Sequence, residues 1–168
     1  VDESDPYNIK RVKVVDAGNS AGRIIFIDNQ NYNNGIQLNQ INGPESDLPV
    51  TFIFSALKPV VLTGTITGNV RMFFAGDFQF GMGTETVAYN GLTMFMSNGD
   101  MKICSSIWSY KNNPGGGFLS SDKDITIVES ASFQGQIQCR GNFKTSGLIQ
   151  FNDSVLKAPG FTVPKGMK

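Results

Sequence analysis

Histidine does not occur among the 168 residues. Its absence removes Ser-His-Asp and Cys-His catalysis, His-ligated zinc or iron, and the usual general base near neutral pH. Cysteine is nearly absent too. Cys104 and Cys139 are the only two, too few for a disulfide scaffold, and whether they pair is not readable from the sequence. Charge is sparse: 17% of residues, with a formal net of zero and no Lys/Arg run. That argues against a nucleic-acid partner, which would need a basic patch to meet phosphates. No stretch of about 18 apolar residues is present, so no membrane insertion is expected. Sustained 3.6-residue periodicity with caps is missing, so helices are not expected either. The chain starts with Val where a translation start would place Met, which suggests a processed product or a piece of something longer.

What remains is enough for a core, with 40% hydrophobic residues and 13 Phe. The length fits one domain, or one domain with a smaller appendage. Short β-type runs lie at "RVKVV" (11–15), "RIIFI" (23–27), "GIQLNQI" (35–41) and "VTFIFS" (50–55). Asn-Gly pairs punctuate the chain at Asn34-Gly35, Asn42-Gly43, Asn90-Gly91 and Asn98-Gly99. In "LTMFMSNGDMKIC" (92–104) two alternating runs flank Asn98-Gly99, which predicts an antiparallel hairpin. The chain therefore reads as all-β.

Two stretches alternate for much longer than a usual strand of about 5–6 residues. In 60–82 the even positions are apolar or glycine, and in 131–155 the odd positions mostly are, from Ala131 and Phe133 to Ile149 and Phe151, with Thr145 and Asp153 as exceptions. Period two marks half-buried strand, with these rows facing inward. "TITGNVRM" (65–72) resembles "SFQGQIQC" (132–139), and after a two-residue insertion "AGDF" (75–78) resembles "RGNF" (140–143). An internal repeat would explain both matches, and so would like composition.

A slower rhythm overlies the second stretch. Ile125, Ala131, Ile137, Phe143, Ile149, Val155, Phe161 and Met167 stand six apart, as do Gly135, Gly141 and Gly147. Glycine bends strands at corners and permits close backbone approach, so this stretch reads as short faces bent at glycines. A single-chain β-solenoid uses such faces, and so does an intertwined triple β-helix in which three chains each supply one. The rhythm covers only 121–168, under three coils, which favours the intertwined homotrimer. The expected organisation is a β-rich head or shaft of short antiparallel strands over 1–120 and a hexad-repeat β region over 121–168. A β-sandwich is the alternative fold.

Candidate chemistry is thin. Asp122 with Asp124, or Asp77 with Glu85, could supply a carboxylate pair for glycosidic cleavage, but nothing singles out a pair and solvated acids are common. "DNQNYNNG" (28–35) misses the Ca²⁺-loop spacing and reads as an Asn-rich hairpin tip. "SIWSYKNNPGGG" (106–117) is the best candidate binding surface. Trp108 and Tyr110 share a parity opposite to Ile107, and Asn112 and Asn113 follow, so rings and amides could meet a sugar. Trp108 as plain core is the competing reading. In a trimer, Asp153 would meet two symmetry mates in the inner row, which suggests an axial ion, a raised pKa or a pairing with Lys157.

The histidine-free, Gly/Asn-rich β pattern and the spaced glycines of "FQGQIQCRGNFKTSG" resemble bacteriophage tail-fibre or tailspike segments. The resemblance covers about residues 60–168 and carries no specific motif, so no family site residues transfer. It implies a virion-borne, extracellular homotrimer that attaches to a bacterial surface receptor, a glycan or a protein, without enzymatic activity or cofactor. A secreted carbohydrate-binding or fimbrial adhesin domain stays open, as does a polysaccharide depolymerase fragment.

Overall fold

A computed structural model describes residues 9–82, 89–90, 92–106, 116–128 and 131–151. These residues form strands and no helix: β1 (Lys10–Asp16), β2 (Ile24–Ile27), β3 (Ile36–Asn42), β4 (Val50–Phe54), β5 (Val60–Leu62), β6 (Ile66–Thr67), β7 (Val70–Phe74), β8 (Phe78–Phe80), β9 (Tyr89–Asn90), β10 (Leu92–Ser97), β11 (Met101–Ile103), β12 (Gly116–Ser121), β13 (Ile125–Ile127), β14 (Ser132–Cys139), β15 (Phe143–Thr145) and β16 (Leu148–Phe151). Every ladder between them is parallel.

The strands stack in two columns. Sheet I runs β15-β13-β11-β8-β5-β3, with β1 on β3 and with β6 and β9 continuing beside the second half of β3. Sheet II runs β16-β14-β12-β10-β7-β4-β2. The chain passes from one sheet to the other and returns one rung further along, which is a β-solenoid. One chain supplies successive rungs of both sheets.

Alternation decides what lies between the sheets. In sheet II, Ile25, Phe52, Met72, Phe95, Leu119 and Ile137 stack rung on rung as an inward column. In sheet I the matching columns are Ile36-Val60-Phe78-Met101-Ile125-Phe143 and Leu38-Leu62-Phe80-Ile103-Ile127. Their middle members are fully buried, and each large side chain so buried contributes about 1.5–3 kcal/mol. Where the sheets meet, five rings cluster. Phe74 and Phe78 stack with centroids 4.0 Å apart, and Phe95 lies tilted against Phe78 at 4.7 Å and Phe80 at 5.4 Å.

Both inward rows read from the sequence point inward over much of their length, although Met82, Gly141 and Thr145 are exposed and positions 153 and 155 lie outside the described residues. Even positions from Val60 to Phe80 are buried apart from half-buried Gly64, while Ala131, Phe133 and Gly135 are buried and Ile137, Cys139 and Ile149 are half-buried. Phe143, in the last rung of sheet I, remains 39% exposed. Gly141 and Gly147 turn corners, as the spaced glycines suggested, whereas Gly135 sits inside β14.

Among the described residues the short antiparallel strands expected for the first part of the chain do not form, and neither does an antiparallel β-sandwich. β10 and β11 make no hairpin: β10 pairs with β7 and β12 in sheet II, and β11 with β8 and β13 in sheet I. Asn98-Gly99 turns the corner between the sheets. Gly99 has no positive φ; a Cβ on it would strike Asp77 of the preceding rung, so the glycine answers to crowding. The stack also begins well before the C-terminal rhythm. Eighteen residues separate Val60 from Phe78 and Ile125 from Phe143, but longer connections lie between Ile36 and Val60 and between Phe78, Met101 and Ile125. Those connections hide the period from a fixed-spacing search.

The two internal matches fare differently. "AGDF" and "RGNF" occupy the same corner on different rungs, since Phe78 and Phe143 share a column. "TITGNVRM" and "SFQGQIQC" are two residues out of phase, because Val70 stacks through Thr93 and Gly117 on Gly135.

Candidate interaction face

The corner after β7, β10, β12 and β14 repeats as Ala75-Gly76-Asp77, Asn98-Gly99-Asp100, Asp122-Lys123-Asp124 and Arg140-Gly141-Asn142. A carboxylate there reaches to the next rung. Asp77 Oδ1 accepts the Asp100 N–H at 2.8 Å, Asp100 Oδ1 accepts the Asp124 N–H at 3.2 Å, and Asp124 Oδ1 accepts the Asn142 N–H at 2.8 Å. A second ladder runs alongside. Ser97 Oγ donates to the Gly76 carbonyl at 2.6 Å and Ser121 Oγ to the Gly99 carbonyl at 2.7 Å, while each accepts an N–H two residues on. Cys139 takes the same column on the following rung, with its Sγ 3.6 Å from the Gly141 carbonyl. Cys104 and Cys139 are not joined to each other by a disulfide.

These ladders absorb two of the carboxylates singled out from the sequence. Asp77 and Asp124 hold rungs together, and Asp122 is ion-paired with Arg140 at 3.4 Å on the surface. Glu85 lies outside the described residues. Among the described residues no three His, Cys, Asp or Glu side chains gather to hold a metal ion. The "DNQNYNNG" segment is no hairpin tip but the connection from β2 to β3. Its Asn29 is wholly buried, with Oδ1 accepting the Ala56 N–H at 2.8 Å and Nδ2 donating to the Lys58 carbonyl.

The Asn142 backbone N–H, helped by the Asn142 amide and the Lys144 ammonium, holds the Asp124 carboxyl below the ordinary carboxylate range. A depressed folded-state pKa stabilises above the unfolded value, near 4, and that contribution is lost as pH falls through the folded value. Asp124→Asn should therefore melt below wild type at pH 7, with the two melting temperatures converging as pH falls below the ordinary carboxylate range. A gap that stays constant across that range would show that the ionised form adds nothing.

The two outer faces differ in chemistry. On sheet I the column facing outward is Gln37-Val61-Gln79-Lys102-Thr126-Lys144, mostly polar or charged. On sheet II it is Phe26-Ile53-Phe73-Met96-Ser120-Gln138, apolar over four successive rungs. Phe26 is 72% exposed and Ile24 beside it 60%, while Ile53, Phe73 and Met96 are half-buried. In the adjacent column Arg71 stands between Thr51 and Met94, and burial draws its pKa below the usual guanidinium value. Met94 and Phe118 of that column have the same outward parity and are closed off from solvent. A groove of about 280 Å³ follows the apolar column, with Ile53, Phe73, Met96 and Ser120 along it and Asn98 and Asp122 on the corner side.

The sequence pointed elsewhere for a site. Trp108, Tyr110, Asn112 and Asn113 lie outside the described residues, as do Asp153 and Lys157. The outer apolar column was missed, although a signal existed. "IIF", "FIF", "MFF" and "MFM" (24–26, 52–54, 72–74, 94–96) carry apolar side chains on both parities, which marks a strand covered on both faces. No protein family, no curated protein and no solved structure matches the chain.

Proposed function

We propose that this chain is a segment of a homotrimeric, extracellular fibre of the phage tail-fibre or tailspike kind, non-enzymatic, that carries a surface for a bacterial receptor. One observation carries the reading: a parallel stack tied corner to corner, polar on one outer face and apolar on the other. The tied corners make a stiff spacer. The apolar column gives it a face for association, and contiguous exposed apolar surface of this kind is uncommon on proteins that act alone. The receptor surface of this reading is the Trp108, Tyr110, Asn112 and Asn113 segment, with a glycan or protein as its ligand.

A secreted monomeric carbohydrate-binding or adhesin domain is the second reading, and the groove favours it. There the half-buried Phe73 ring lies near Asn98, Ser120 and Asp122, a ring and polar groups that a sugar could engage. Light scattering at micromolar concentration separates the two, with a mass of three chains expected and a one-chain mass rejecting the fibre reading. Adhesion to a panel of bacteria tests the receptor surface. Trp108→Ala should abolish adhesion with an unchanged melting temperature, whereas a stability loss of about 3–5 kcal/mol would make Trp108 a core residue.

A further inference from the structure

The Phe26-Ile53-Phe73-Met96 column is set apart by its period, its direction and its lack of charge. We infer that it is the surface on which copies of this chain pack against one another, with axes parallel and rungs in register. This assignment rests on the trimeric reading and names its interface.

Period comes first. Hydrogen-bonded strands lie about 4.8 Å apart, so the column presents one apolar side chain at each such step. A surface that seats against all four must have the same step, and a second solenoid of this sequence has it. Direction comes next. The column is apolar on β2, β4, β7 and β10 and ends in Ser120 and Gln138 on β12 and β14. Copies running the same way set apolar rung against apolar rung, whereas copies running oppositely would set Phe26 against Gln138. A three-fold ring also excludes antiparallel neighbours, because a rotation of one third of a turn cannot reverse an axis.

Charge agrees. None of the six residues in the column is charged. Arg71 is the one charged residue among the described outward positions of β2, β4, β7 and β10, and it stands a column away, where it borders the contact. Asp122, on the corner side of the groove, is neutralised within the chain by Arg140. With a formal net charge of zero, copies meet without general repulsion. Around a three-fold axis each of the four rungs would then bring three apolar side chains together.

Two sets of variants test this in the full chain. Phe26 is exposed, so Phe26→Asp should leave the circular dichroism of the chain unchanged. It should raise the concentration at which the trimer dissociates by about thirtyfold or more, because three unpaired carboxylates would replace apolar contacts at the end rung of the interface. Separately, Met96→Cys in a Cys139→Ser background should oxidise to a covalent dimer within the trimer, with the third thiol left free. Val61→Cys, on the outer face of sheet I, should not cross-link. If the wild type is a trimer that Phe26→Asp leaves intact, and Val61→Cys cross-links where Met96→Cys does not, the trimer stands and this interface is wrong. A wild type that is monomeric at micromolar concentration overturns both.

Discussion

Phe95→Ala should cost about 3–5 kcal/mol, the upper part of the usual range for a buried ring. Phe95 is fully buried and stands between Met72 and Leu119 in the inward column of sheet II. Its ring also meets Phe74 at the end of β7 and Phe78 and Phe80 of sheet I. The cavity left behind cannot close by backbone movement, because ladders on β7 and β12 fix β10 from both sides. Thr126→Ala, at an outward-facing position of sheet I, should cost under about 1.5 kcal/mol when both variants are unfolded in urea, as it does not open the core. Equal losses at the two positions would mean that the inward and outward parities are misassigned.

Gly135→Ala should remove the last rungs outright, at about 3 kcal/mol or more. Two costs coincide there. Gly135 holds a φ of 145°, which L side chains rarely adopt, and a Cβ would land on the carbonyl oxygen of Gly117 in the rung below. The neighbour is backbone inside a ladder and has nowhere to go. Because contacts in a stack are between neighbouring rungs, the damage should stay local. Hydrogen exchange should show protection lost over 132–151 and retained in β4 and β7. Gly18→Ala is the control: its φ is not positive and a Cβ would sit 3.6 Å from Asp16 Oδ1, an ordinary contact. Uniform loss of protection along the whole chain would contradict a rung-by-rung structure.

Particular residues show what the sequence could and could not convey. Alternation at 60–82 and 131–151 fixes which side chains point inward, because parity is a local property of extended chain. Partnership is not local. Asn98-Gly99 looks the same whether the flanking strands fold back on each other or diverge into two sheets, and here the decisive contact is with Asp77 of the preceding rung. The "AGDF" and "RGNF" match identified a true corner, while "TITGNVRM" against "SFQGQIQC" matched polarity without matching position, since any two alternating strands agree at every second step. Asn29 gave no sign of burial, because its amide is satisfied by backbone groups of Ala56 and Lys58 that lie far along the chain. The outer column of sheet II was visible as apolar residues on both parities. The sequence alone does not say which parity meets the core and which meets another surface.

The corner carboxylates also give the stack a direction in time. In each pair the acceptor belongs to the earlier rung and the donor to the later one: Asp77 for Asp100, Asp100 for Asp124, Asp124 for Asn142. The serines point the other way, Ser97 and Ser121 reaching back to the carbonyls of Gly76 and Gly99. A nascent corner therefore finds both its acceptor and its anchor already displayed by the one before it. Each new coil is templated by its predecessor and needs nothing from its successor, and contacts between adjacent coils close loops of modest length. Such a chain can wind up in the order in which a ribosome delivers it, with at most one unfinished edge exposed at any moment.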